Sequence, residues 1–354
     1  MRVGIRCDAG GRTGVGHLIR CVALAEELTG RGADVHFLSD LGGFAWAEQQ
    51  LAARGLPRHP APTDPAGLAA AADALALDAV VLDSYLLSGE YGATLRAAGR
   101  TVLAVVDGDL LGQQADLYVD QNLDAELRTP HLPAGAIRLA GLPYSLLRRA
   151  VRTLRPPAPT PADPTRTPRV VCFFGGTDAY RAAPVLAALL IRTAAPFDAV
   201  VIAADDSLRA ELHALTPSAG QRLEILSPTD DLPKLLADAD LAVSASGTST
   251  WELLCLGLPA ALVWVVDNQL LGYGRAVERG LAAGVGHLPS LRNPSGPEAV
   301  AAVEVLRGLL TDAPARTALA ARAWAAVDGR GVERVADALT NRTRQATPAD
   351  PRRS

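Results

Sequence analysis

Two series of short apolar runs alternate with helical spacing along this chain, and the segment between them can be neither helix nor sheet. From Thr153 to Pro168 it reads Thr-Leu-Arg-Pro-Pro-Ala-Pro-Thr-Pro-Ala-Asp-Pro-Thr-Arg-Thr-Pro. Proline has no N–H to give to either ladder, so such a stretch favours extended conformations. Before it come apolar runs at 3–5, 33–38, 79–82, 101–106 and 117–119; after it come 170–174, 199–203, 224–226, 241–244 and 260–266. Alternation of this kind predicts βα units on a parallel sheet with helices on both faces. At 354 residues the chain exceeds what one growing core supports, and two domains of about 150 residues are expected. The predicted organisation is a doubly wound domain over 1–151, a linker over 152–169, a second doubly wound domain over 170–340 and a disordered tail over 341–354.

Composition removes several classes of partner. Apolar residues make up 49% and charged residues 20% of the chain, as in ordinary globular proteins. A net charge of −4 gives no electrostatic footprint for nucleic acid. The longest apolar stretch, Leu253 to Val266, is broken by Gly257 and Pro259 and is too short to span a bilayer, so no stable membrane insertion is expected. Cys7, Cys21, Cys172 and Cys255 are scattered without a CxxC pair. That pattern fits buried thiols in a reducing compartment better than a disulfide frame or a zinc site. With no secretory signal visible, the expectation is a cytoplasmic protein, a monomer by preference, without metal or cofactor.

The richest local pattern follows the first apolar run. Gly14-Val15-Gly16-His17-Leu18-Ile19-Arg20 leads into a helix whose Leu18, Cys21, Val22, Ala25 and Leu28 share one face. Gly14 and Gly16 let backbone N–H groups approach an anion, and His17 in the first turn can reach the same ligand as a base. A plain capping or loop histidine is the competing reading. Asp83-Ser84-Tyr85 and Asp107-Gly108-Asp109 also follow apolar strands. By the end-of-strand rule they should lie near His17, with Tyr85 on a sugar hydroxyl and a carboxylate orienting the imidazole. Turn formation explains Asp107 and Asp109 equally well.

In the second half, Leu241 to Leu254 reads as strand, hydroxyl-rich turn and helix. Ser246, Gly247, Thr248 and Ser249 at a helix N-terminus suit a diphosphate. Glu252 could bind a ribose, or could complete a capping box with Ser249. Gly175 and Gly176 form a turn after the strand at 170–174, with Asp178 as a possible cap. Asn268 and Gln269 end the 260–266 run, where amides could read a uracil or a sugar. No Gly-Lys-Ser/Thr follows the first loop, its glycines do not fit GxGxxG, and no GxSxG elbow occurs. ATP hydrolysis, nicotinamide chemistry and α/β-hydrolase chemistry all drop out.

Taken in order, these pieces resemble the UDP-sugar hydrolases of the pseudaminic acid pathway. The matching residues are Asp8 with 14–20, then 81–85, Val106-Asp107, 141–148, 174–178, 244–253 and Asn268-Gln269. The resemblance implies the two-domain GT-B architecture, two Rossmann-like domains facing a cleft, similar to the transferase that adds N-acetylglucosamine in lipid II synthesis. It implies His17 as the catalytic base, Tyr85 on the sugar side and Asn268 on the nucleotide side, and Glu252 falls where related GT-B enzymes place a ribose-binding acid. Together with the loop and strand-end readings, Asp8 and Asp107 are expected on the sugar side, and Gly14, Gly16, Gly175, Gly176, Ser246, Gly247, Thr248, Ser249, Glu252, Asn268 and Gln269 on the UDP. The expected reaction is metal-independent hydrolysis of a UDP-linked acetamido sugar with inversion. A GT-B glycosyltransferase is the alternative, and a non-catalytic nucleotide-sugar binding protein is a third reading.

Overall fold

A computed structural model of the chain describes residues 1–9 and 15–346. They fall into two compact units, one made of residues 1–149 with the stretch from 329 on, the other of 150–328. In the first unit the strands are β1 (Arg2–Cys7), β2 (Asp34–Leu38), β3 (Arg58–His59), β4 (Ala79–Asp83), β5 (Thr101–Val105), β6 (Leu117–Asp120) and β7 (Ile137–Ala140). They form one parallel sheet in the order β3-β2-β1-β4-β5-β6-β7. Strands β4 and β5 are buried along their whole length, which is why they read in sequence as continuous apolar runs and not as alternation.

The second unit carries β8 (Arg169–Phe173), β9 (Phe197–Ile202), β10 (Gln221–Leu226), β11 (Leu241–Ala245), β12 (Ala260–Trp264) and β13 (Ala283–His287). They too are all parallel, ordered β10-β9-β8-β11-β12-β13. Each sheet grows one way from its first strand, then returns past that strand to grow the other way. The reversal lies between β1 and β4 in one unit and between β8 and β11 in the other. Doubly wound sheets gather ligands at such points, outside the carboxyl ends of the strands. Three strands escape the apolar-run reading. β3 is two residues long, β7 begins Ile-Arg, and β13 reads Ala-Gly-Val-Gly-His with Val285 as its one large apolar side chain.

Two expected boundaries move. The helix Gly331–Ala346 belongs to the first unit and not to the second, and it carries regular structure into the stretch expected to be a disordered tail. Val332, Val335, Ala336 and Leu339 lie on one face and pack with Val3, Ile5, Leu18 and Val22 in the first unit's core. Arg31 of the first helix (Gly16–Gly30) bonds Asp337 at 2.5 Å and the Glu333 carbonyl at 3.2 Å. The proline-rich stretch has no helix or strand between 153 and 168, but it is strapped to the second unit. The Arg155 guanidinium stacks 4.3 Å over the Trp324 ring and donates to the Trp324 carbonyl at 2.9 Å. The Trp324 indole N–H returns a bond to the Pro156 carbonyl at 2.9 Å. Prolines cannot join a ladder, yet their carbonyls still accept.

Candidate active site

The first helix opens without help. Val15 occupies its cap position, no side chain caps it, and its first turn carries no acidic residue. His17 is its second residue and is buried, 9% exposed. Its Nδ1 lies 2.5 Å from Asp83 Oδ1 at the carboxyl end of β4, the neighbour of β1 in the sheet. A carboxylate only accepts, so Nδ1 carries the proton and donates it, which leaves the Nε2 lone pair as the basic face of the ring.

Asp83 is fully buried, and Arg20, one helical turn beyond His17, neutralises it. Arg20 Nε donates to Asp83 Oδ2 and Nη2 to Asp83 Oδ1, both at 2.6 Å. The same guanidinium reaches across to Asp107, after β5, with Nη1 to Oδ1 at 2.9 Å and Nη2 to Oδ2 at 3.1 Å. Burial alone would raise the Asp83 carboxyl, but the Arg20 charge, with the hydrogen bonds from Arg20 and His17, outweighs it and holds it well below the usual carboxylate range. Asp107 is held down likewise, burial being overcome by Arg20 and by the Tyr85 hydroxyl. Burial works against the Arg20 charge, and the two carboxylates raise its pKa well above the ordinary value. A cation this buried is tolerable because each of its faces is paired.

Tyr85 completes the group. Its hydroxyl donates to Asp107 Oδ2 at 2.5 Å, and its ring meets that of His17 edge to face with centroids 4.6 Å apart. Burial and the Asp107 charge push the phenol well above its usual pKa, so it stays a donor. About half of the side chain is exposed. From the end of β6, Asn122 Nδ2 donates to Asp107 Oδ1 at 3.1 Å and to Asp120 Oδ1 at 2.9 Å.

The carboxylate that orients the imidazole is Asp83; Asp107 instead holds Arg20 and Tyr85. Asp109 is a turn residue, accepting from Leu111 N at 2.9 Å. Asp8 pairs with Arg6 and accepts from Ser84 Oγ at 3.1 Å. Gly16 begins the first helix, and Gly14 lies outside the described residues. Arg20 and Asn122 were missed. Arg20 was legible as the residue three past His17, a helical neighbour on the same face.

At the second unit's reversal point, the turn after β11 leads into the helix Ser249–Leu256. Thr248 takes the cap position with no side-chain cap, so the capping box of Ser249 with Glu252 is not formed: Ser249 already lies inside the helix. Glu252 is buried in this helix, and Ser246 is buried at the end of β11, its N–H donating to the Val263 carbonyl at 2.8 Å. Gly247 lies against Gln269, 3.9 Å from a Cβ built there to Nε2, and Gln269 Oε1 accepts from Val265 N at 3.0 Å. Asn268 is exposed in the first turn of the helix Asp267–Glu278. After β8, Gly175 takes φ +77 with open space beside it and Gly176 follows. Asp178 accepts from Ala182 N at 2.8 Å and Ala183 N at 2.9 Å, so it caps the helix Ala182–Arg192. Among the described residues, no group of three His, Cys, Asp or Glu is placed to hold a metal ion, and no helix is long and apolar enough to cross a membrane.

No known family's sequence profile matches the chain, and no curated protein matches it at a significant level. Solved structures do match, over nearly the whole length. MurG of Acinetobacter baumannii aligns with TM-score 0.68 at 18% identity, covering 96% of this chain and 99% of that one. UGT89C1 of Arabidopsis thaliana, complexed with UDP, gives 0.63 at 14%, covering 96% and 99%. A UDP-GlcNAc 2-epimerase of Neisseria meningitidis, bound to UDP-GlcNAc, gives 0.62 at 11%, covering 96% and 100%. These likenesses overturn the resemblance to the pseudaminic acid hydrolases, since no such family profile matches and the similar folds are those of MurG, of a plant protein holding UDP and of an epimerase. The hydrolase reading of the reaction falls with it. What the comparisons show is the fold: two Rossmann-like α/β units of the GT-B-like kind.

Proposed function

We propose that this chain is a glycosyltransferase that uses a UDP-sugar donor and inverts the anomeric centre. The observation that carries the reading is the His17 imidazole, its Nδ1–H donated to the buried, ionised Asp83 at the reversal point of a GT-B-like chain. Nε2 takes the proton of an acceptor hydroxyl as its oxygen forms the new bond to C1. The C1–O bond to the diphosphate breaks on the opposite face, and UDP leaves with the electron pair. Asp83 stabilises the imidazolium so formed, as a carboxylate does behind any histidine base. Tyr85 and Asp107 stand on the sugar side. The diphosphate is assigned to Gly175, Gly176, Ser246, Gly247, Thr248 and Ser249, where helix N-terminal N–H groups meet the charge developing on the leaving oxygen. Glu252 is assigned to the ribose, Asn268 and Gln269 to the sugar or the uracil.

The test is an NMR time course with a panel of UDP-sugars, run with and without alcohol acceptors. Acceptor-dependent UDP release with an inverted glycoside supports the reading, and His17→Ala should then lower turnover by about 10³-fold while still binding UDP. A donor sugar altered at C2 without acceptor would replace it with epimerase chemistry. Undiminished turnover in His17→Ala would sink the base assignment.

A further inference from the structure

Asp83 is sealed from solvent, so the lone pairs of its carboxylate depend on protein donors. Three are already in the site: His17 Nδ1 and Arg20 Nη2 on Oδ1, and Arg20 Nε on Oδ2. A fourth donor, Cys21 Sγ, lies 3.3 Å from Oδ2, next to Arg20 on the first helix. Cys21 is fully buried. Burial, the Cys7 thiol bonded to it and the Asp83 charge raise its pKa well above the ordinary thiol value, so the sulfur keeps its proton and donates it. Cys7 stands opposite Asp83 in the register of β1 with β4, 3.5 Å from Ser39 Oγ, and both thiols belong to the core that holds Ile5, Leu18 and Val81.

We propose that Cys21 is a positioning residue for the base: its thiol closes the last lone pair of Asp83 and so sets how much of the carboxylate charge His17 feels. The role rests on the glycosyltransferase reading above, in which His17 is the base. Charge explains the choice of sulfur. His17 faces Asp83 from β4, Tyr85 from the turn after it, and on its own helix Arg20, whose Nη2 lies 3.3 Å from Nδ1; Asp107 from β5 pairs with Arg20 and Tyr85 behind them. The carboxylate favours the imidazolium and the guanidinium opposes it. A second cation on Oδ2 would tip that balance against the charged ring. An empty lone pair would tip it the other way and leave a buried oxygen unsatisfied. A thiol is neutral and a weak donor, so it fills the place while drawing little charge from the carboxylate.

Full-length Cys21→Ala and Cys21→Ser test this, with Val22→Ala as a control that removes buried volume from the same core and no donor. In Cys21→Ala the carboxylate pulls harder on the ring. The midpoint of the His17 ring titration, followed by nitrogen-15 NMR without substrate, and the acid limb of kcat/KM should both rise by about half a pH unit, about threefold in the imidazolium-to-imidazole ratio. Cys21→Ser retains a donor and should show less than half that rise, and Val22→Ala none, with UDP affinity by calorimetry unchanged in all three. Cys21→Val, which keeps the volume without the donor, stands in should Cys21→Ala fail to fold. No rise in Cys21→Ala, an equal rise in Cys21→Ser, or the same rise in Val22→Ala overturns the proposal. Absence of acceptor-dependent turnover in the wild-type chain would instead strike the glycosyltransferase reading, and the ring titration, which needs no substrate, still decides whether Cys21 acts on His17 through Asp83.

Discussion

At the scale of single residues, the site is an ionic chain in which one arginine serves two carboxylates and each carboxylate serves one functional side chain. Asp83→Asn breaks the arm that matters most. An amide can turn its NH₂ toward Nδ1, favouring the wrong tautomer, and it cannot stabilise an imidazolium. Turnover is expected to fall on the order of 10³-fold with UDP affinity unchanged, checked by steady-state kinetics beside calorimetry. The same substitution has an acid-stability signature. Asp83 and Asp107 are both held below their ordinary pKa, so their contribution is fully present above the unfolded value of about 3.9 and fades as pH falls below it. Urea midpoints measured between pH 3 and 5 should drop less steeply in Asp83→Asn than in wild type; parallel slopes would refute the linkage. His17 and Tyr85 were legible in the sequence because each follows an apolar run. Which aspartate faces which partner was not, since Asp83 and Asp107 occupy the same local context. Strand order in the sheet, β1 beside β4 and β4 beside β5, makes the choice.

At the scale of elements, two helix ends carry measurable consequences. Asp178 caps Ala182–Arg192 from a left-handed backbone position, φ 41, and burial pushes its carboxyl up to about 6 against the pull of two backbone N–H groups. A raised carboxyl favours the folded state below its unfolded pKa and loses that advantage as pH rises through 6. Wild type should lose about 2 to 3 kcal/mol from this group between pH 4 and pH 7, while Asp178→Asn keeps a cap and lacks the slope; denaturant titrations of both across that range decide it. At the other helix, Gly331 is fitted against the turn 142–145. A Cβ there would stand 2.4 Å from both the N and the O of Ser145, and backbone cannot swing aside. Gly331→Ala is expected to cost about 1–3 kcal/mol, read as faster hydrogen exchange through the first unit with the second unchanged. The Asp178 cap was legible as one of two readings of the glycine turn, because an aspartate just ahead of an apolar helix suits its free N–H groups. The docking of the other helix was not, since an amphipathic face such as that of Val332, Val335, Ala336 and Leu339 does not name its partner.

At the scale of the whole molecule, the parallel sheets and their restart after the prolines were visible in sequence, because fully buried strands announce themselves as apolar runs. The closing helix was assigned to the wrong half because sequence adjacency favours the nearer unit while burial favours the better-matched face. A chain ending at Asp328 should therefore lose protection in the first unit, including β1 and β4, and with it the activity proposed above, while exchange in the strands β8 to β13 stays slow. Mass-spectrometric hydrogen exchange on that truncation separates the units; equal loss in both would show that they do not fold independently. The placement of this helix also sets an order on biosynthesis. Units normally fold as they leave the ribosome, the earlier-made one first. Here the later-made unit has all of its strands in hand before Gly331–Ala346 has been translated, while the unit bearing His17 waits with part of its apolar core uncovered. The unit bearing His17 is thus the later of the two to mature in a nascent chain, although its first strand is made first.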